Sequence, residues 1–203
     1  MQRIMTRFAL LRATGRRGLF TLLLLCHGAP AMSQSTTSRS ATDREAIAEI
    51  VARVAYEADA GKWEALRSLY ADEVRVDYTS LAGGEPASVR ADDLMANWRA
   101  LLPGFDLTQH LLGPIVVEID GDRAVARTHV RALHRIAGAE GGEDWIVGGH
   151  YIYQFARSDG RWRITGHTLA RAYKEGNRML PDLARKRLER APTNRPRTGM
   201  RGR

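Results

Sequence analysis

Apolar side chains recur at helical spacing in the first part of the chain. Between residues 47 and 58 they return every three or four positions, which places them along one face of a helix. Thr42 and Glu45 have the spacing of a capping box, in which the two side chains satisfy free amides of the first helical turn. We therefore expect a helix that begins at Thr42 and ends at Gly61. Shorter periodic runs predict two further helices, over 62–70 and 91–102.

Apolar and polar positions alternate through the rest of the chain, which is typical of strands with one buried face. A short alternating run lies at 74–78, and Asp159-Gly160 has the composition of a tight hairpin turn. Four long alternating segments predict the remaining strands: 107–119, 123–136, 145–157 and 161–173. Helices followed by a meander of strands predict an α+β fold, with the helices packed on one face of a curved, mostly antiparallel sheet.

The two ends of the chain differ in composition from its centre. Residues 1–33 combine five arginines with a short leucine-rich run and small residues, which is typical of an export signal that is removed and predicts a periplasmic or secreted protein. Translation from Met32 is the alternative, and it predicts a cytoplasmic protein. Residues 34–41 are rich in Ser and Thr and predict a linker before a domain over 42–178. Residues 179–203 predict a short helix and then a partly disordered basic tail.

The distribution of charge argues against nucleic-acid binding by the domain. The chain has 31 basic and 23 acidic residues, a net charge of +8. Five of the basic residues lie in 1–33 and nine in 178–203, whereas only two of the acidic residues lie in these ends, so the centre is slightly acidic. A domain that binds phosphates carries its positive charge on the folded body. The N-terminal apolar run is also much shorter than the ~20 residues of a membrane-spanning helix, so we predict no span.

Strand parity separates the two histidines of the segment 123–136. Side chains alternate across a strand, so His134 shares a face with small apolar residues such as Ala132, whereas His129 shares the other face with arginines. The small apolar face is expected to lie against the helices. His134 is therefore predicted to be an interior polar residue and His129 a solvated one.

Four side chains form a candidate acid/base set: Asp59, Tyr78, His110 and His134. Asp59 lies near the C-terminal end of the first helix, where a negative charge opposes the helix dipole, so helix stability does not explain it. His110 shares a strand face with Thr108, Leu112 and Val116. A carboxylate can orient a histidine and raise its pKa, so that the imidazole moves a proton near neutral pH. Hydrogen-bonded structural histidines and a solvated carboxylate are the alternative interpretation.

Other chemistries fit the residue spacing poorly. The histidines lack close metal spacing such as H-x-H, and the chain has no phosphate loop, dinucleotide fingerprint or serine-nucleophile signature, so we predict no metal and no cofactor. His150 and His167 are interpreted as ordinary polar strand positions. Trp98, on the third predicted helix, is either a core aromatic or the wall of a pocket.

Six short motifs occur in the order in which a known family carries them. They are Ala58-Asp59-Ala60-Gly61-Lys62-Trp63, Val76-Asp77-Tyr78, Thr108-Gln109-His110-Leu111-Leu112-Gly113, His129-Val130-Arg131-Ala132-Leu133-His134, Asp159-Gly160-Arg161-Trp162-Arg163-Ile164 and Glu175-Gly176-Asn177. Together they make the segment 40–178 resemble the SnoaL-like branch of the nuclear-transport-factor-2-like superfamily, most closely scytalone dehydratase and its bacterial relatives. The resemblance implies a conical α+β barrel that encloses an apolar pocket.

The resemblance also implies roles for individual side chains. Asp59, His110 and His134 fall on the Asp and the two His of the dehydratase site, and Tyr78 falls on one of its Tyr. In these roles His110 is the principal base, oriented by Asp59, and His134 is the acid that protonates the leaving hydroxyl. An Asp–His dyad of this kind also serves a related bacterial dehydrochlorinase.

Four further positions are expected to contact the substrate: Trp98, Ala132, Val147 and Gly149. The dehydratases carry Ser and Asn near the positions of Val147 and Gly149, and a Tyr where this chain has Ala58. The groups that hold the polar parts of scytalone are therefore changed, which argues against scytalone itself as the substrate.

Two functions remain as hypotheses at this point. The first is a cofactor-free lyase, a dehydratase or a related eliminating or isomerising enzyme, that acts on a small hydrophobic cyclic molecule. The second is an exported, non-catalytic module that uses the same pocket to bind a small ligand or a partner, because fold does not determine function. A homo-oligomer, a dimer or trimer, is expected in either case.

Overall fold

The computed structural model describes residues 32–190. Nearly all of the predicted export segment, and the basic tail beyond Arg190, lie outside the described residues. The helices are α1 (Met32–Ala60), α2 (Trp63–Arg67), α3 (Thr79–Ala82), α4 (Ala91–Arg99) and α5 (Leu180–Arg190), with a 3₁₀ turn at Leu102–Gly104. The strands are β1 (Tyr70–Asp77), β2 (Ala87–Arg90), β3 (Leu107–Leu112), β4 (Val116–Asp120), β5 (Arg123–Arg135), β6 (Asp144–Ser158) and β7 (Arg161–Gly176).

The strands form one curved sheet in the order β2-β1-β7-β6-β5-β3, and β4 also pairs with β5. β1 and β7 run parallel, and every other pair is antiparallel. α1 packs across β3, β4 and β5, and α4 packs against β1 and β2. The predicted α+β architecture is confirmed, although the sheet curves around the helices without closing into a barrel. None of the helices in the described part of the chain is both long and apolar enough to cross a membrane.

The first helix starts earlier than its capping signal predicts. α1 is already helical at Met32, so the predicted linker 34–41 is helical and the Thr42–Glu45 pair lies inside the helix rather than at its end. No Gly or Pro occurs between residues 33 and 60, so nothing in this stretch interrupts the helical hydrogen bonds. The predicted end is confirmed: Gly61 adopts a left-handed φ of 67° directly after the last helical residue.

The predicted strand 107–119 is in fact two strands, because the chain breaks at Gly113-Pro114. β3 pairs with one half of β5 and β4 with the other half. The break reverses the side-chain parity, so Val117 is buried and Val116 is 58% exposed. Val116 therefore does not share the inward face of His110, contrary to the prediction. Two short elements, α3 and β2, were not predicted from the sequence, and they lie on either side of the segment 83–86.

The buried stripe of α1 fixes the position of the residues at its C-terminal end. Ile47, Val51, Val54 and Ala58 are all buried against the sheet, in agreement with the predicted apolar face. Burial of the Ile and Val side chains stabilises the fold by about 1.5–3 kcal/mol each. Asp59 follows directly on this stripe and is carried to the edge of the sheet at β3.

Candidate active site

A cavity of about 500 Å³ lies between the helices and the concave face of the sheet. Cavities that hold small molecules are typically of this size and mostly apolar. Trp98, Ala132 and Val147 lie in its walls, together with other apolar side chains of α1, α4 and β5. His110, His134 and Tyr78 also line it, so the structure brings three of the four predicted catalytic side chains to one space.

Asp59 lies behind His110 and forms two hydrogen bonds with it. The Nδ1 atom of His110 lies 2.7 Å from Oδ1 of Asp59, and the backbone N–H of His110 donates to Oδ2, also at 2.7 Å. β3 is an edge strand, so alternate backbone N–H groups have no strand partner on that side, and Asp59 satisfies one of them. The two side chains are 51 positions apart in the sequence and are joined only by the packing of α1 on β3.

The carboxylate of Asp59 determines which nitrogen of His110 faces the cavity. Burial alone would raise the pKa of Asp59, but the hydrogen bonds and charge of His110 outweigh burial and lower this pKa. An ionised carboxylate accepts hydrogen bonds only, so the Nδ1 atom of His110 carries a proton. In the neutral form of the ring the Nε2 atom presents a lone pair, which is the arrangement of a general base held by a carboxylate.

His134 is buried beside His110, with the two ring centroids 5.5 Å apart and the planes nearly perpendicular. It is only 5% exposed, whereas His129 is exposed on the opposite face of the same strand, which confirms the parity prediction. The Nδ1 atom of His134 lies 3.3 Å from the carbonyl oxygen of Trp145. A carbonyl only accepts, so Nδ1 is the protonated nitrogen and Nε2 has a lone pair.

This environment argues against the predicted role of His134 as a proton donor. Burial, and secondarily the neighbouring His110, lower the pKa of His134 to about 3. The ring is therefore neutral at pH 7, and its one proton is already donated to Trp145. His134 is suited to accept a hydrogen bond from a substrate hydroxyl rather than to protonate it.

A third histidine, His167, lies in the cavity wall and was missed by the sequence analysis. It is 2% exposed and connects two tyrosines: Nδ1 lies 3.0 Å from the Tyr70 hydroxyl, and Nε2 lies 3.3 Å from the Tyr78 hydroxyl. The ring of Tyr153 packs against it in a tilted arrangement, at a centroid distance of 4.4 Å. Burial, with a smaller contribution from His110, lowers the pKa of His167 to about 3, so it is neutral and carries a single N–H.

The single N–H of His167 determines whether the Tyr78 hydroxyl can donate a hydrogen bond into the cavity. Tyr70 is buried, and in the described part of the chain its hydroxyl has His167 as its hydrogen-bond partner. A buried hydroxyl needs an acceptor for its proton, so Tyr70 donates to Nδ1. The Nε2–H of His167 then donates to the Tyr78 oxygen. Burial also raises the pKa of Tyr78, so its phenol keeps a proton that is free to be donated into the cavity.

A β-bulge explains why strand alternation did not identify His167. In β7, Trp162 and Ile164 point inward, but Thr165 is an extra residue relative to β6. The parity therefore shifts by one, and His167 and Leu169 point inward after it. A bulge of this kind redirects side chains without a clear sequence signal.

Gly149, predicted to contact the substrate, does not line the cavity. A Cβ atom at this position would lie 2.2 Å from the backbone oxygen of Ala170 on the adjacent strand. We expect Gly149→Ala to lower the free energy of unfolding by about 1–3 kcal/mol because the two strands would have to separate. Urea denaturation measures this change, with Ala172→Ser at a neighbouring exposed position as the control. A variant as stable as the wild-type protein would contradict this interpretation.

The other histidines and acids of the described segment do not extend the site. His150 packs against His129 on the outer face of the sheet, at a ring-centroid distance of 4.5 Å. Among residues 32–190, no group of three or more His, Cys, Asp or Glu side chains is placed to hold a metal ion.

Comparison with known proteins places the chain in a family. Residues 39–168 match the family described as SnoaL-like domain. A dehydratase of Pestalotiopsis microspora is 30% identical over 116 residues, which cover 53% of this chain and 73% of that protein.

Solved structures agree with this match. The Kfla4162 protein of Kribbella flavida is 33% identical, with a TM-score of 0.65 over 72% of this chain and 99% of the other. A protein of Novosphingobium aromaticivorans, provisionally described as a scytalone dehydratase, has the same fold at 21% identity, with a TM-score of 0.58 over 70% of this chain and 91% of the other. The chain belongs to the SnoaL-like domain family, within the nuclear-transport-factor-2-like superfamily.

Proposed function

We propose that the protein is a cofactor-independent lyase that removes water from a small hydrophobic cyclic molecule bearing a carbonyl and a β-hydroxyl group. The observation that carries this proposal is the Asp59–His110 pair, whose free nitrogen faces an apolar cavity. A carboxylate-held histidine in such a place is the usual arrangement for general base catalysis. The dehydratase of Pestalotiopsis microspora, a relative at 30% identity, supports the same reaction class.

The first step is removal of a proton from carbon by Nε2 of His110. The C–H bond next to the carbonyl breaks, and its electron pair moves onto the carbonyl oxygen as an enolate. The negative charge of Asp59 stabilises the imidazolium that forms, because the ring donates Nδ1–H to it at 2.7 Å. The side chains of His110 and Asp59 are only 11% and 18% exposed, so this electrostatic stabilisation is stronger than it would be in solution.

Tyr78 is placed to stabilise the enolate oxygen. Its hydroxyl oxygen accepts from His167, which leaves its proton free for the substrate carbonyl. A neutral donor aimed at a developing oxyanion is a common source of transition-state stabilisation. Tyr78 therefore acts as a hydrogen-bond donor, and His167 acts as a positioning residue that holds the phenol in this orientation.

The second step expels the hydroxyl group as water. The enolate electrons return to form the carbon–carbon double bond, the C–O bond breaks, and the leaving oxygen takes the proton from Nε2 of the His110 imidazolium. His110 thus serves as base and then as acid, and the site returns to its starting protonation. The Nε2 lone pair of His134 accepts a hydrogen bond from the leaving hydroxyl before the step, which holds it beside His110.

The alternative, a non-catalytic ligand-binding module, predicts a different result in a trapping experiment. Wild-type protein and His110→Ala are purified from the native cell, and the small molecules that they release are compared by mass spectrometry. We expect the variant to release a molecule that is heavier by one water than the one released by the wild type. His129→Ala, on the outer face of the same sheet, should behave as the wild type. Release of one unchanged molecule by all three proteins would refute the lyase and favour the binding module.

A further inference from the structure

Three cationic side chains line one side of the cavity and have no part in the proposed proton transfers. Lys174 comes from the end of β7, Arg178 from the segment that follows it, and Arg185 from α5. The walls otherwise consist of apolar, aromatic and neutral polar side chains. A cavity that serves only a neutral hydrophobic molecule has no need of charged groups in its lining.

The positive charge on this side is only partly neutralised by the protein itself. Arg185 forms an exposed ion pair with Asp182 at 3.6 Å. Within residues 32–190, neither Lys174 nor Arg178 forms an ion pair, and no Asp or Glu side chain lines the cavity. Asp59, the acid of the proposed acid/base pair, lies behind His110 and is hydrogen-bonded to it.

Strand register places the lysine relative to the base. His110 pairs with Ala132, Ala132 with Val147, and Val147 with Lys174, so the four residues form one row across β3, β5, β6 and β7. Directly paired residues share a face of the sheet, so Lys174 lies on the same concave face as the base. Three strand spacings separate the two, about 14 Å along the sheet. A proton-transfer group and a cation thus stand at opposite ends of the cavity.

We infer that the ligand of this cavity is an amphipathic anion, with a ring system against the apolar wall and a carboxylate or phosphate ester at the end remote from the reacting carbon. Lys174 and Arg178 bind the anionic group, since Arg and Lys donate charge-assisted hydrogen bonds to both kinds of oxyanion. The inference rests on the proposed function only in taking this cavity as the substrate site. It adds a substrate class that the acid/base groups alone do not define.

The test is a binding experiment that needs no turnover. Affinities of 2-naphthoate, 2-naphthyl phosphate and the uncharged, similarly shaped 2-naphthamide are measured by calorimetry with the wild-type protein at pH 7.5 and low salt. We expect the anions to bind about tenfold more tightly than the amide, which corresponds to two partly exposed ion pairs. Tighter binding of the phosphate would assign a phosphate ester, and equal or tighter binding of the carboxylate would assign a carboxylate.

Two double variants with the same change of net charge complete the test. Lys174→Gln/Arg178→Gln should bind naphthoate and naphthamide equally, whereas Lys186→Gln/Arg190→Gln, at exposed positions of α5 outside the cavity, should keep the preference. Equal affinities in the wild-type protein, absence of naphthoate binding, or loss of the preference in both double variants would overturn the inference. Turnover is measured separately. If the wild-type protein shows no anion preference but is catalytically active, the inference about the ligand fails and the lyase proposal stands. If it shows the preference but has no lyase activity, the lyase proposal fails and the ligand class stands.

Discussion

Replacing His110 with alanine is expected to lower kcat/KM by about 10²–10⁴, the usual contribution of a general base. Among the residues 32–190, His110 is the one cavity histidine with a carboxylate behind it, because His134 and His167 are held by a carbonyl and by tyrosines. The rate is measured on the molecule that the His110→Ala protein retains. His129→Ala is the matched control, because it removes an exposed histidine from the same sheet.

Asp59→Asn should lower kcat/KM less than His110→Ala does, because the amide keeps the shape of the carboxylate but loses the charge that favours the imidazolium. The two groups act as one unit, so the fold-decrease in kcat/KM of the double variant should be much smaller than the product of the two single fold-decreases. Thermal unfolding of each variant checks that the fold is retained. Multiplicative effects in the double variant would contradict the dyad, even if the enzyme were active.

Acidification is expected to destabilise the protein strongly between pH 6.5 and pH 3 because two buried histidines must remain neutral. The pKa values of His134 and His167 are about 3 in the folded protein, against an ordinary value of 6.5. Below pH 6.5 the unfolded chain therefore binds more protons than the folded one. The stabilising contribution is fully present above pH 6.5 and is lost progressively as the pH falls towards 3. Each histidine contributes about 2 kcal/mol to the loss between pH 7.5 and pH 5.

Urea denaturation at several pH values measures this effect. His134→Gln and His167→Gln should each reduce the difference in unfolding free energy between pH 7.5 and pH 5 by about 2 kcal/mol, whatever their effect at pH 7.5. His150→Gln, at an exposed position, should leave the difference unchanged. If the unfolding free energies of His134→Gln and His167→Gln depend on pH in the same way as that of the wild type, neither histidine is kept neutral by burial.

Local periodicity was sufficient to predict much of the scaffold. The helical spacing of Ile47 to Ala58 predicts the buried face of α1, and the period of two in β5 places His134 inside and His129 outside, as found. These features depend on neighbours within a few residues, and the geometry of a helix or a strand converts such neighbours directly into faces. Gly61 and Asp159-Gly160 mark their turns for the same local reason, since they adopt left-handed backbone conformations.

Only the tertiary structure determined the contacts between residues that are far apart in the sequence or that follow an irregularity in a strand. The Asp59–His110 bond joins residues 51 positions apart, and it exists because the apolar stripe of α1 packs across the edge strand β3. His167 reaches the cavity through a bulge at Thr165, and Lys174 joins the row of His110 through strand register. Residue order determined which faces are apolar and which residues could carry chemistry. Their distances, protonation states and partners were set by packing, because burial and hydrogen bonding act between groups that only the folded chain brings together.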